Sequence, residues 1–207
     1  TEGTLRHNRH EVKVYQSYFA HPKYCDEIRD IFRSVFVDTG FDEKKYVYPI
    51  KTNSLGIKVE YPNRYVAYFV ARGPKADFIK SLIPDKQLTP QFLLSLTDEQ
   101  LKILYDTIMK GDGHIGKYTD HFTQRKSKNL EMFQMLCVLV GLRSTLCSNG
   151  WIRGTEYFRV YVSSKKRKNA CTYPNSLRRE EVNHRGVVWC VHTPNETLVA
   201  RRNGTIY

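Results

Sequence analysis

The chain has 207 residues, with 33 Lys or Arg against 21 Asp or Glu, a formal net charge of +12, and 41% hydrophobic residues. That apolar share excludes a disordered tail, and no apolar run approaches the roughly 20 residues that cross a bilayer. The basic excess points to a polyanionic partner, nucleic acid first and an acidic membrane surface second.

Thr1-Glu2-Gly3-Thr4 is polar from the start, so it does not read as a signal peptide. With no initiator Met, the chain reads as a fragment, a cleaved product or an excised segment. Cysteines stand at 25, 137, 147, 171 and 190, an odd number with no CxxC pair. They read as reduced thiols of an intracellular protein, not a disulfide framework or a zinc site.

Residues 4–18 read as a hairpin that turns near His7-Asn8-Arg9. Val12 and Val14 alternate with Lys13 and Tyr15, the period of a half-buried strand. Pro22 opens a helix whose apolar face is Cys25, Ile28, Phe32, Val35 and Phe36, with Gly40 as its end. Residues 45–70 read as β structure around a Pro62-Asn63 turn. Pro74 begins a short helix, and Pro84 and Pro90 bracket a connection.

Thr97 and Gln100 form a capping box for a helix that stops at Gly111-Asp112-Gly113. A polar hairpin (114–124), an apolar helix (129–140) and strands near 143–147 and 157–162 follow. This order repeats. Glu2-Gly3 and Asp112-Gly113 each precede a hairpin that ends in Gln16 or Gln124, and a helix and strands come next. Two similar halves suit a ligand with its own approximate twofold, such as duplex DNA.

Glu2 and Asp112 hold matching places, and carboxylates converging from two helix ends suit Mg²⁺. A metal shared between them and a phosphate activates water and stabilises the leaving oxygen. The alternative is a helix-end turn residue and a surface acid.

Leu104-Tyr105-Asp106-Thr107-Ile108-Met109-Lys110-Gly111-Asp112-Gly113 resembles the LAGLIDADG helix of homing endonucleases. Thr107 and Gly111 fall where that family keeps small residues, which let helix backbones approach. Thr1-Glu2-Gly3 looks like the last three residues of a second copy. Tyr105 and Asp106 depart from the pattern, and most of the first motif helix is absent. The resemblance covers residues 1 to about 175.

It implies an α+β fold of two pseudo-symmetric αββαββα units with a DNA-binding β saddle, 1–95 and 96–180. It also implies Mg²⁺-dependent cleavage of both DNA strands by a monomer. Glu2 and Asp112 are its implied metal ligands. Lys86, in Asp85-Lys86-Gln87-Leu88-Thr89-Pro90, is its implied cation near the scissile phosphate, and a solvated loop lysine is the alternative. Gln16 and Gln124 match polar residues that position water, with hairpin capping as the alternative.

Arg6, His7, Arg9, Lys13 and Tyr15 in the first unit form the expected DNA face, with Lys117, Thr119, His121, Thr123 and Arg125 in the second. Alternation places such residues on one side of a sheet. Lys165-Lys166-Arg167-Lys168 is a basic run suited to phosphate contact.

Residues 181–207 differ in style. Val187 to Thr193 is a strand-like run, and Leu198 to Tyr207 is a hairpin with an Asn-Gly turn. The segment resembles the C-terminal splicing (Hint) blocks of inteins, without their terminal Asn. Cys190 falls where inteins place a residue assisting cleavage, and a buried small hydrophobe is the alternative.

The expectation is therefore an intracellular LAGLIDADG-type homing endonuclease within an intein. Its partners are duplex DNA and a host extein in cis, with no membrane. A non-cleaving, maturase-like binder and a splicing intein with a decayed endonuclease are the rivals.

Overall fold

A computed structural model describes residues 3–4, 10–52, 55–60, 64–117, 119–163, 181–188, 191–194 and 199–206. The chain is α+β and divides into two compact units, Thr1–Phe92 and Leu93–Tyr207. Among the described residues, no helix is long and apolar enough to cross a membrane.

The first unit runs β1 (Gly3–Thr4), β2 (Glu11–Ser17), α1 (Pro22–Val35), β3 (Asp42–Val47), β4 (Lys51–Thr52), β5 (Lys58–Val59), β6 (Tyr65–Arg72) and α2 (Pro74–Leu82). A short helix α3 (Pro90–Leu94) lies at its end. The main sheet has the order β1-β2-β6-β3, and β4 and β5 pair by themselves. β2 and β6 are antiparallel, with Lys13 opposite Val70 and Tyr15 opposite Tyr68.

That register turns Val12 and Val14 inward with Ala67, Phe69 and Ala71. The two alanines flank Phe69 on this face of β6. The Phe32 ring of α1 packs 5.9 Å from Phe69, 5.2 Å from Phe36 and 5.4 Å from Phe41. α1 stops at Val35, short of Gly40. Phe36 N–H bonds Phe32, and Gly40 N–H bonds Phe36, so Gly40 closes a further turn instead of the helix.

Arg29 ties α1 to β3. Its Nε and Nη2 donate to the two Glu43 oxygens at 2.6 and 2.8 Å, and its Nη1 donates to Asp26 at 2.6 Å. A two-pronged geometry of this kind is the strong form of an ion pair. The hydrogen bonds from Arg29 hold the Glu43 carboxyl below its ordinary pKa.

The second unit runs α4 (Asp98–Asp112), β7 (Gly113–His114), β8 (Asp120–Arg125), α5 (Lys128–Leu139), β9 (Ser144–Ile152), β10 (Thr155–Val162), β11 (Arg201–Arg202) and β12 (Thr205–Ile206). The capping box is present: Thr97 Oγ1 accepts from Gln100 N–H, and Gln100 Oε1 accepts from Thr97 N–H. The core joins Leu101 and Met109 of α4, Leu130, Phe133 and Leu136 of α5, and Phe122 and Val160 of the sheet. Phe133 packs 4.6 Å from Phe122 and lies nearly parallel to Tyr105 at 5.8 Å.

The second sheet has the order β7-β8-β10-β9-β12-β11. Its first four strands follow the same path as β1-β2-β6-β3, with α1 and α5 in the same place. The sequence repeat is therefore a repeat of topology. The sheets differ at one edge. β3, last in the first sheet, carries Asp42-Glu43-Lys44-Lys45. The outer edge of β9 is instead paired with β12, Thr145 opposite Thr205.

Two outcomes follow. Phe69→Ala removes the ring at the centre of the first core and is expected to lower stability by about 3–5 kcal/mol in a denaturant titration. Glu43 has a folded pKa below its unfolded one, so its contribution is present above the unfolded pKa and is lost as pH falls through the folded one. An acid titration of Glu43→Gln is expected to show a shallower loss of stability over that window than the parent.

Candidate functional site

Strand register places several of the sequence-predicted residues on the outward face of each sheet. In the first unit, Lys13 and Tyr15 lie opposite Val70 and Tyr68, and Tyr68 lies opposite Lys44 on its other side. Lys13 Nζ sits 4.4 Å above the Tyr68 ring, and the Tyr15 ring lies 6.0 Å from it. The Tyr48 and Tyr68 hydroxyls are hydrogen-bonded. Tyr46 packs edge-on to Tyr48 at 4.8 Å. Partial burial, followed by the Tyr48 hydrogen bond, pushes the Tyr68 phenol up to about 12. This face is a cluster of phenols and ammonium groups.

In the second unit, His121, Thr123 and Arg125 lie opposite Tyr161, Arg159 and Tyr157 of β10. Arg159 is fixed on both sides. Its Nε donates to Thr123 Oγ1 and its Nη1 to the Tyr161 hydroxyl, both at 3.1 Å. Arg125 Nε donates to the Tyr157 hydroxyl at 3.4 Å. His114 of β7 faces His121 across the ladder, with ring centroids 4.7 Å apart. Burial, then the nearby Arg159 cation and His114, lower the His121 pKa.

The sequence pattern missed Lys44, Tyr46 and Tyr68 in the first unit and Arg159, Tyr157 and Tyr161 in the second. The alternation within Asp42–Val47, Tyr65–Arg72 and 157–162 carried the signal. Lys117 and Thr119 are exposed, but they precede β8. Alternation does not extend to them, because a turn closed by Gly116 N–H on the Asp120 carboxylate at 3.1 Å comes first.

Asp112 is the last residue of α4 and is half-buried. Gly113, next to it, is a steric requirement: a Cβ there would lie 2.5 Å from the Met109 carbonyl oxygen and 2.6 Å from Met109 Cα. Backbone carbonyls at a helix C-terminus carry partial negative charge, which favours a cation beside Asp112. Mg²⁺ takes one or two carboxylates and completes its shell with water and phosphate, and Asp112 suits such a donor set. No group of three or more His, Cys, Asp or Glu side chains that could hold a metal occurs among the described residues.

Gln16 and Gln124 occupy the same place on β2 and β8, two residues past the inward Val14 and Phe122. Gln16 Oε1 accepts from Ser17 N–H at 2.8 Å, and Gln124 Oε1 accepts from Ser127 Oγ at 3.4 Å. Lys86 ends a 3-10 turn, Pro84–Lys86, in which Asp85 and Lys86 both have left-handed backbone, φ 55° and 58°. Strain of order 1–3 kcal/mol per residue is typical of such positions. Lys86 N–H on the Ile83 carbonyl and Gln87 N–H on the Pro84 carbonyl hold the turn closed.

Thr107 and Gly111 are exposed on α4, on the stripe that also exposes Ile103. Glu2, Arg6, His7, Arg9, Lys165, Lys166, Arg167, Lys168 and Cys190 lie outside the described residues. No protein-family model matches the chain, and no curated protein matches its sequence.

Tyr68→Phe is expected to remove a phenol that ionises near pH 12. Ultraviolet difference titration reads this as the loss of one tyrosine step at high pH.

Proposed function

We propose that the chain is the LAGLIDADG-type endonuclease portion of an intein and hydrolyses phosphodiester bonds of duplex DNA with Mg²⁺. The observation that carries this reading is the doubled topology. Two sheets that share the order of four strands each present an outward cationic and aromatic face, and one of them follows a helix that ends in Asp112-Gly113. The net charge of +12 supports a polyanionic ligand.

In this reading each outward face lies along a duplex. Lys13, Lys44, Arg125 and Arg159 approach phosphates and base edges. The tyrosine and threonine hydroxyls add hydrogen bonds to the same surfaces. Preorganisation by Thr123 and Tyr161 leaves Arg159 less side-chain entropy to lose on binding. Asp112 would hold Mg²⁺, which supplies an activated water and charge stabilisation at the phosphate when bound, and the resemblance implies the same role for Glu2. Lys86 places a cation in a turn closed by two backbone hydrogen bonds, where it would stabilise charge developing on the phosphate. Gln16 and Gln124 would orient water. Residues 181–207 belong to the splicing segment.

Selection from a random duplex library, followed by incubation of the selected duplex with Mg²⁺, tests this reading. The expected result is cleavage of both strands by the parent. Asp112→Asn is expected to lose at least about a hundredfold in cleavage rate while still binding. Lys13→Ala is expected to lower the slope of log affinity against log salt by about 1. A parent that binds the duplex but never nicks it in Mg²⁺ fits the non-cleaving binder instead.

A further inference from the structure

α5 is an apolar helix with one polar residue in its buried face. Gln134 is 1% exposed among Leu130, Phe133, Leu136 and Cys137. A buried amide requires partners. Those of Gln134 come from the C-terminal hairpin: its Nε2 donates to the Gly204 carbonyl at 2.8 Å, and its Oε1 accepts from Arg201 Nη1 at 3.3 Å.

The Gly204 carbonyl also accepts Leu146 N–H of β9 at 2.8 Å. Arg201 Nη2 reaches Glu131 of α5 at 3.2 Å. Asn203 and Gly204 have φ of 50° and 78°, the pair of positive values that a type I′ hairpin turn requires. A Cβ on Gly204 would lie 2.2 Å from the Leu146 carbonyl oxygen. The turn is thus shaped to both β9 and α5.

The attachment is also narrow. Among the described residues, a single residue pair, Thr205 with Thr145, joins β12 to β9. Beside it, an open hollow of about 360 Å³ separates Met135, Val138 and Leu139 of α5 from Val199 and Ala200. Residues 181–188 are exposed.

We infer that α5 and β9 form a docking surface for the chain's own 201–206 hairpin, and that the hairpin is a latch that opens without unfolding the second unit. The polar contacts of Gln134, Arg201 and the Gly204 carbonyl seat it, and an open apolar hollow lies beside it. If residues 181–207 are splicing blocks, a clause that rests on the functional reading above, the latch has a consequence. The strand edge bound to β9 cannot at the same time pair within a splicing fold, so docking and completion of that fold exclude one another. The latch itself needs neither DNA nor metal.

Native-state hydrogen exchange on the full chain tests it. The Leu146 amide reports the latch, and the amides of the β8–β10 ladder report the sheet. In the parent, Leu146 is expected to be protected, but at least about a hundredfold less than the β8–β10 amides, because it exchanges by local opening. Gly204→Val is expected to abolish Leu146 protection and leave the β8–β10 amides as they were. Gln134→Leu, which keeps the helix face apolar, is expected to reduce Leu146 protection about tenfold. Leu146 unprotected in the parent overturns the docking surface. Leu146 and the β8–β10 amides exchanging together, and weakening together in both variants, overturn the latch. Neither result bears on whether the chain cleaves DNA.

Discussion

The register between β2 and β6, and between β8 and β10, governs the rest of the molecule. Side chains alternate along a strand, so a slip of one residue would exchange the two faces completely. In the observed register, Val12, Val14 and Phe69 meet α1, while Lys13, Tyr15 and Tyr68 face outward. Phe122 and Val160 likewise meet α5, while His121, Thr123 and Arg159 face outward. Burial on one side thereby sets the chemistry on the other. The phenylalanines of the two cores position the outward residues from the opposite side of each sheet.

Much of this was legible in the sequence where periodicity was strong. The capping box at Thr97 and Gln100, proline at the start of α1 and α2, and the Asn-Gly turn each have a local physical cause that acts within a few residues. α1 was misjudged at its end, because its stop depends on which carbonyl the Phe36 and Gly40 amides reach. The outward faces were half legible. Alternation marked Lys13, Tyr15, His121, Thr123 and Arg125. Their neighbours Tyr68 and Arg159 come from strands distant in sequence, and only pairing brings them together. The ties from Gln134 to the hairpin left no local trace, since a lone Gln in an apolar helix has no partner within the helix itself.

The repeat preserves topology and changes chemistry. One outward face is built from phenols with a lysine over the Tyr68 ring, and the other from arginines held by hydroxyls beside a pair of histidines. Lysine heads are compact and mobile, whereas Arg159 is a flat fork with two of its donors already engaged. Two faces so different cannot present the same hydrogen-bonding pattern to the two halves of one ligand. A ligand that satisfied both would itself lack exact twofold symmetry.

The two sheet edges have a consequence for solubility. β3 guards itself: acidic and lysine residues along its exposed edge repel a second copy and bind water. β9 carries far less charge on its edge, and Trp151 and Ile152 at its far end are exposed. At its Thr145 end the hairpin lies against it. The first unit thus resists edge-to-edge self-association through charge, and the second, at the Thr145 end of β9, through a tethered segment. Protein concentration therefore matters most for molecules whose tether is displaced, since they bare the whole length of an uncharged strand to one another.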